Sequence, residues 1–273
     1  MSNNEYSIGV FDSGVGGLTV LKQLIRYMPC EKYIYLGDTA RVPYGNKSTH
    51  TVSQYANDCI NFLLEKKVKL IVIACNSVSA VALDKVKTVA GNIPVIGMIE
   101  YAAIAALRTT ANGNIGVIGT RATINSKAYE NAIMKLAPNS NINVFSSACP
   151  LLVPLAEEGY LNHKATWTIT KEYINDLTAH NIDTLILGCT HYPLFTNIIS
   201  NIAPKLNLID TGEHSAVAAV RLLADKQLLV AEDFSLNRKM DIDFYLTDHS
   251  SHFDELSSTL LGFNIDKPVL IEL

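Results

Sequence analysis

Two of the five cysteines in this chain, Cys75 and Cys189, stand where a thiol can do chemistry. Cys75 closes the apolar run Leu70-Ile-Val-Ile-Ala and precedes Asn76-Ser77; Cys189 closes Leu185-Ile-Leu-Gly and precedes Thr190-His191. A third polar pair, Asp12-Ser13, follows Ile8-Gly-Val-Phe in the same manner. An unperturbed thiol titrates near pH ~8.5, close enough to neutrality to hold or release a proton, and a helix N-terminus or a neighbouring imidazole favours its thiolate. Two such groups on opposite sides of one carbon could remove a proton from one face and deliver one to the other, which is what inversion of a stereocentre beside a carboxylate requires. A carboxylate or imidazole near each sulfur, Asp12 or His191, could shuttle or orient its proton.

Each of these residues also has a plainer reading. Cys59 lies on the apolar face of a helix and belongs to the core, and Cys30 and Cys149, next to prolines, are expected to be inert. Cys75 or Cys189 taken singly could be buried strand-end residues, Asp12 a helix N-cap and His191 a structural histidine. Cys189 and His191 together could also form a nucleophile and base for hydrolysis. That reading leaves Cys75 without a role. Gly14, Gly16 and Gly17 permit a tight turn and close approach to a ligand, but Thr19 stands where a dinucleotide fingerprint needs its third glycine, and no phosphate-binding Gly-Lys-Ser/Thr follows. No C-x-x-C pair is present, so no metal site is expected.

The elements that must position these groups alternate along the chain. Tyr6 to Phe11, Tyr33 to Leu36, Leu70 to Ala74, Pro94 to Met98, Ile115 to Ile118, Asn143 to Phe145, Thr184 to Leu187 and Leu208 to Asp210 read as strands, with amphipathic helices between them. The clearest helix is Thr51 to Lys66, where Val52, Tyr55, Ala56, Cys59, Ile60 and Leu63 share one face. Continuous apolar strands, each followed by a helix, imply an α/β protein with mainly parallel sheets covered on both faces. Ligands of such sheets bind beyond the carboxyl ends of the strands, where all three polar clusters fall.

The pattern also repeats. Ile8-Gly-Val-Phe-Asp-Ser13 is similar to Ile115-Gly-Val-Ile-Gly-Thr120, and Leu70 to Ser77 is similar to Thr184 to His191. Two related halves are therefore expected, with Cys75 and Cys189 at equivalent places facing one cleft. The first half is assigned residues 1–98 plus 211–273 and the second 99–210. The tail offers a helix over Glu213 to Asp225, a strand-like alternation at Ile242, Phe244 and Leu246, and a final Pro268 to Leu273 run. It is too short for a third domain and should pack back on one of the halves.

Composition narrows the class further. The 273 residues are 48% hydrophobic and 18% charged, a globular balance that excludes disorder and fibrous repeats. Strictly apolar runs such as Leu70 to Cys75 and Ala102 to Leu107 are far shorter than the ~20 residues of a spanning helix, so no membrane is expected. The polar start, Met1 to Ser7, does not resemble a secretory signal, and a cytoplasmic location, where thiols stay reduced, is the expectation. A net charge of −4 without a basic cluster gives no footprint for nucleic acid.

These residues resemble a known family, the glutamate racemases of the aspartate/glutamate racemase superfamily. The likeness runs through Ile8-Gly-Val-Phe-Asp-Ser-Gly-Val-Gly-Gly17, Tyr35-Leu-Gly-Asp-Thr-Ala-Arg-Val-Pro-Tyr-Gly45, Val72-Ile-Ala-Cys-Asn-Ser77, Ala148-Cys-Pro with Val153-Pro-Leu-Ala-Glu-Glu-Gly159, and Leu187-Gly-Cys-Thr-His-Tyr-Pro-Leu194, in family order. It implies a pseudo-symmetric pair of α/β domains with the active site between them and no cofactor. It further implies interconversion of L-glutamate and D-glutamate for peptidoglycan synthesis, with another acidic amino acid such as aspartate as the alternative substrate. Cys75 would then serve the D-glutamate face assisted by Asp12, and Cys189 the L-glutamate face assisted by His191, with Glu157 a further carboxylate at the cleft. Substrate contacts are expected from Asp12, Ser13, Tyr44, Gly45, Asn76, Ser77, Thr190 and His191. Ser77 departs from the family's usual threonine but keeps the hydroxyl. Family members are often homodimers, an assembly this sequence leaves open.

Overall fold

The computed structural model describes residues 5–230, 240–249 and 251–273. Met1 to Asn4 of the polar N-terminus, and residues 231–239 and Ser250 of the tail, lie outside the described residues. The strands are β1 (Ile8–Asp12), β2 (Lys32–Gly37), β3 (Leu70–Ile73), β4 (Val95–Ile96), β5 (Asn114–Gly119), β6 (Asn143–Ala148), β7 (Thr184–Gly188), β8 (Asn207–Asp210), β9 (Asp241–Leu246) and β10 (Val269–Leu270). The helices are α1 (Leu18–Tyr27), α2 (Thr49–Glu65), α3 (Asn76–Val81), α4 (Leu83–Ala90), α5 (Ile99–Thr109), α6 (Arg121–Asn125), α7 (Ala128–Leu136), α8 (Leu152–Glu157), α9 (Lys164–Thr178), α10 (Thr196–Ile202), α11 (Thr211–Asp225) and α12 (Ser251–Leu261).

The strands form two sheets. One has the order β10-β9-β2-β1-β3-β4 and the other β6-β5-β7-β8. Every pairing is parallel. The four-strand order β2-β1-β3-β4 recurs as β6-β5-β7-β8, so the two sheets repeat the same topology and the sequence repeat has its structural counterpart. Side chains of the first sheet alternate between two cores. Ile8, Val10, Tyr33, Tyr35, Leu70 and Val72 face α1, α11 and α12, while Phe11, Ile34, Leu36, Ile71 and Ile73 face α2, α3 and α4. In the second sheet Leu185 and Leu187 meet α8, α9 and α10, and Ile115, Val117 and Ile186 meet α5 and α7. Both faces of both sheets are thus covered, which is why the strands read as unbroken apolar runs.

Local chemistry sets the helix boundaries. The Ser48 side chain accepts from Thr51 N and starts α2 two residues ahead of the periodic face, and Cys59 on that face is fully buried. Asp210 likewise caps α11 by accepting from Gly212 N and Glu213 N, so this helix begins at Thr211 rather than Glu213. The Pro94 to Met98 run shortens to the two residues of β4 because Met98 N donates to Ser79 Oγ (3.1 Å) instead of to a neighbouring strand. Conversely β6 runs on through Ser146 and Ser147, whose polarity hides them from hydrophobic patterning but whose backbone pairs with Val117 and Ile118. The tail packs on the first sheet: α11 lies on α1, and β9 extends β2 over its whole length. Of the final apolar run only Val269 and Leu270 form a strand, and both are exposed.

A buried ion pair ties the segment after α11 to that sheet. Lys69 Nζ lies 2.5 Å from Glu31 Oε2 with both side chains 1% exposed, the same ammonium donates to the Leu228 carbonyl (2.8 Å), and Val230 N donates to Glu31 Oε1 (2.9 Å). Removing one charge strands the other in a dry environment. Lys69→Met or Glu31→Gln is expected to cost about 3–5 kcal/mol, read as a fall in the urea midpoint at unchanged slope.

Candidate active site

Cys75 sits between β3 and α3, and Cys189 directly follows β7 at the matching place in the other sheet. Both are buried, 5% exposed, and both line a single narrow cleft. Its walls hold Ser13, Tyr44, Gly45, Asn76, Ser77, Glu157, Thr190 and His191 alongside the two thiols. Of the expected catalytic and substrate-contact residues, Asp12 alone stands behind the wall. Its Oδ2 accepts from Gly14 N and Gly17 N (3.0 Å each), shaping the turn after β1, and its Oδ1 is buried without a hydrogen-bond partner among the described residues. Contact with Cys75 falls to Ser13 instead: the Cys75 Sγ donates to Ser13 Oγ at 3.4 Å.

The two sulfurs have unlike surroundings. Burial pushes the Cys75 thiol up to about 12, reinforced by the nearby Asp12 carboxyl and, across the cleft, by Cys189. Asp12 is itself raised by burial, against the opposing pull of Gly17 N, His191 and other donors. On the other side, Cys189 Sγ is 3.8 Å from His191 Nδ1, and His191 Nε2 is 3.1 Å from Glu157 Oε1. Burial disfavours the charged imidazole, but the Cys189 sulfur and Glu157 outweigh it and His191 is pushed up to about 10. At neutral pH the imidazolium therefore persists between a sulfur and a carboxylate. A cation of this kind stabilises a thiolate beside it, whereas the surroundings of Cys75 keep that sulfur protonated.

The walls are held in register by contacts between the two sheets. Thr19 Oγ1 lies 2.8 Å from the Thr190 carbonyl oxygen, to which it donates, and the Tyr129 hydroxyl donates to Asn76 Oδ1 (2.7 Å). Ser77 Oγ and Thr120 Oγ1 are 2.9 Å apart, and Thr120 Oγ1 is 3.0 Å from Thr123 Oγ1. Thr120 went unread in the sequence as a site residue, although the repeat aligns it with Ser13 and so carried the signal. Gly16 has a different function from the one its spacing suggested. A Cβ there would come within 2.3 Å of Thr190 Oγ1 and 2.5 Å of the His191 ring, so the glycine allows the turn after β1 to lie against the opposite wall rather than against a ligand. Cys149 is fully buried, its thiol directed at the Ser147 carbonyl (3.7 Å), and Cys30 is half-buried at the turn before β2. Among the described residues no group of His, Cys, Asp and Glu is arranged to hold a metal ion, and no helix is long and apolar enough to cross a membrane.

The chain is similar to known proteins in sequence and fold. A family profile for Asp/Glu/Hydantoin racemase matches residues 8–220. A glutamate racemase of Chlorobium phaeobacteroides is 49% identical over 84% of each chain, and one of Persephonella marina is 43% identical over 95% of each. Among solved structures, glutamate racemase from Francisella tularensis in complex with D-glutamate superposes with a TM-score of 0.91 at 38% identity, covering 98% of both chains. The Bacillus anthracis glutamate racemase isoform RacE1 gives 0.92 at 37% identity, over 99% of this chain and 98% of that one. With paired thiols at the ends of equivalent strands and likeness extending over nearly the full length of these relatives, the chain belongs to the Asp/Glu/Hydantoin racemase family.

Proposed function

We propose that the chain interconverts L-glutamate and D-glutamate with Cys189 and Cys75 as its two acid–base groups. The observation that carries this reading is the pair of thiols lining one cleft with opposite electrostatic surroundings. From L-glutamate, Cys189 as thiolate takes the α-proton, breaking one C–H bond. The Cys75 thiol gives its proton to the opposite face, forming the other. Cys75 is left as thiolate and Cys189 as thiol, and proton exchange with water returns the pair to its starting state. His191, held by Glu157, supplies the positive charge that the Cys189 thiolate needs, and Ser13 contacts Cys75 with the Asp12 carboxyl nearby behind it. The hydroxyls and amides of Ser13, Asn76, Ser77 and Thr190, with the Tyr44-Gly45 turn, hold the two carboxylates and the amino group.

Glutamate is preferred over aspartate because the relatives matched over nearly their full length are named glutamate racemases. The reading places D-glutamate supply for peptidoglycan in the cytoplasm, where both thiols stay reduced. It treats 1–98 with 211–273 and 99–210 as the two units whose separation admits substrate, supported by the packing of α11 on α1 and β9 on β2.

Incubation with L-glutamate in deuterated water is expected to yield D-glutamate carrying deuterium at Cα, detected by mass spectrometry after chiral separation; unlabelled product would rule out the two-thiol route. Cys75→Ser and Cys189→Ser should each lower turnover by about 10²–10⁴-fold, the usual worth of a positioned acid or base, while Cys59→Ala leaves turnover near wild type and lowers the melting temperature. His191 is charged below its raised pKa and neutral above it, so kcat with L-glutamate should fall as pH rises through about 10. Because the two enantiomers have equal free energies in water, kcat/KM must stay equal in the two directions. Any directional difference should therefore be visible in kcat and KM separately.

A further inference from the structure

Asp38 is fully buried, does not line the cleft, and yet gathers the segment that does. It follows β2 directly, and its backbone N–H donates to the Asp12 carbonyl (3.1 Å), which anchors it at the carboxyl end of the central strand. Its Oδ2 accepts from Arg41 Nε (2.6 Å) and from the Tyr44 hydroxyl. Burial, then Cys59 and Asp38, keeps Tyr44 well above the ordinary tyrosine range, so this hydroxyl retains its proton and donates. The Tyr44 ring is wedged between Phe11 and Tyr55, at centroid distances of 6.5 and 5.5 Å, and Arg41 stacks on Tyr55 while its Nη1 reaches Asp58 (2.9 Å). At the far end of this turn, Gly45 lies so near the opposite wall that a Cβ would come within 2.8 Å of Thr120 Cβ.

The other carboxylate oxygen is held from a distant part of the chain. Thr247, just past β9, donates its hydroxyl to Asp38 Oδ1 (2.8 Å) and accepts from Ala40 N (2.9 Å), and Asp248 N donates to Thr39 Oγ1 (2.9 Å). These residues lie beyond residue 220, where the family match ends. The tail thus buckles the same turn that presents Tyr44 and Gly45 to the cleft.

We propose that Asp38 is a positioning residue for substrate, fixing the turn from Thr39 to Asn46, and that Thr247 is the tail's anchor for it. The inference rests on the glutamate reading of the cleft. Neither residue touches the reacting carbon, so both act on how firmly the substrate is held and not on proton transfer by the thiols. A turn not held in place must be ordered when substrate binds, which weakens affinity without altering the acid–base step.

Thr247→Val keeps the shape of the side chain and removes the donor, Asp38→Asn removes the charge that Arg41 and Tyr44 share, and Thr247→Ser restores the hydroxyl. With purified full-length protein, the first two are expected to raise KM for both glutamate enantiomers by about tenfold or more, the scale of one lost hydrogen bond to a charged group. Their kcat should stay within about twofold of wild type, and Thr247→Ser should return KM to the wild-type value. A folded Thr247→Val variant with wild-type KM, or a loss of kcat at constant KM, overturns the proposal even if Asp38→Asn fails to fold. A wild-type chain that racemises no glutamate overturns the functional reading beneath it, and the proposal with it.

Discussion

A buried sulfur carries charge at lower cost when a cation stands beside it, and among the described residues of the cleft His191 places one on the Cys189 side. His191 stands 3.8 Å from Cys189 and is itself braced by Glu157, while the Cys75 side offers a neutral hydroxyl and an acid already pushed toward its protonated form. The proposed reaction needs one sulfur charged and one neutral when substrate arrives. Two equivalent thiolates would repel each other, and two thiols would leave no base. The repeat supplies two thiols at equivalent positions, and the substitutions within it, Asp12 against Gly119 and Ser77 against His191, remove the equivalence that would defeat the chemistry.

That electrostatic arrangement depends on how closely the two sheets approach. Gly16 lets the turn after β1 come against Thr190 and His191, and Gly45 lets the turn after β2 come against Thr120. Burial in this narrow cleft lowers the local polarity, which strengthens the pairing of His191 with its neighbours while penalising ionisation of Cys75. The hydrogen bonds Thr19 to Thr190, Tyr129 to Asn76 and Ser77 to Thr120 then tie the walls together through side chains that line the cleft or neighbour those that do.

The same dependence reaches the tail. Strand β9 pairs along the full length of β2, and its end meets Asp38 and Thr39, so sheet extension and the shape of a cleft-lining turn share hydrogen bonds. A segment that hydrophobic patterning reads only as packing back on the molecule is connected through two side chains to Tyr44 and Gly45.

Sequence alone determined the α/β class, because parallel strands covered on both faces must be apolar at every position, and it determined the repeat, because equivalent strand ends kept equivalent residues. It also singled out Cys75, Cys189 and the polar residues after them, since strand ends that carry hydrogen-bonding groups are rare in an otherwise apolar pattern. Tertiary structure decided what no spacing encodes. The placement of Asp12 behind the wall, with Ser13 at the sulfur, depends on how the turn after β1 curls around two backbone N–H groups. The pairing of Ser77 with Thr120 and of Asp38 with Thr247 joins residues 43 and 209 positions apart. The opposite surroundings of two like thiols arise only when burial, a neighbouring imidazole and a second carboxylate act at one point in space. Charge in a low-dielectric interior is governed by such neighbours, and chain order does not say which neighbours those will be.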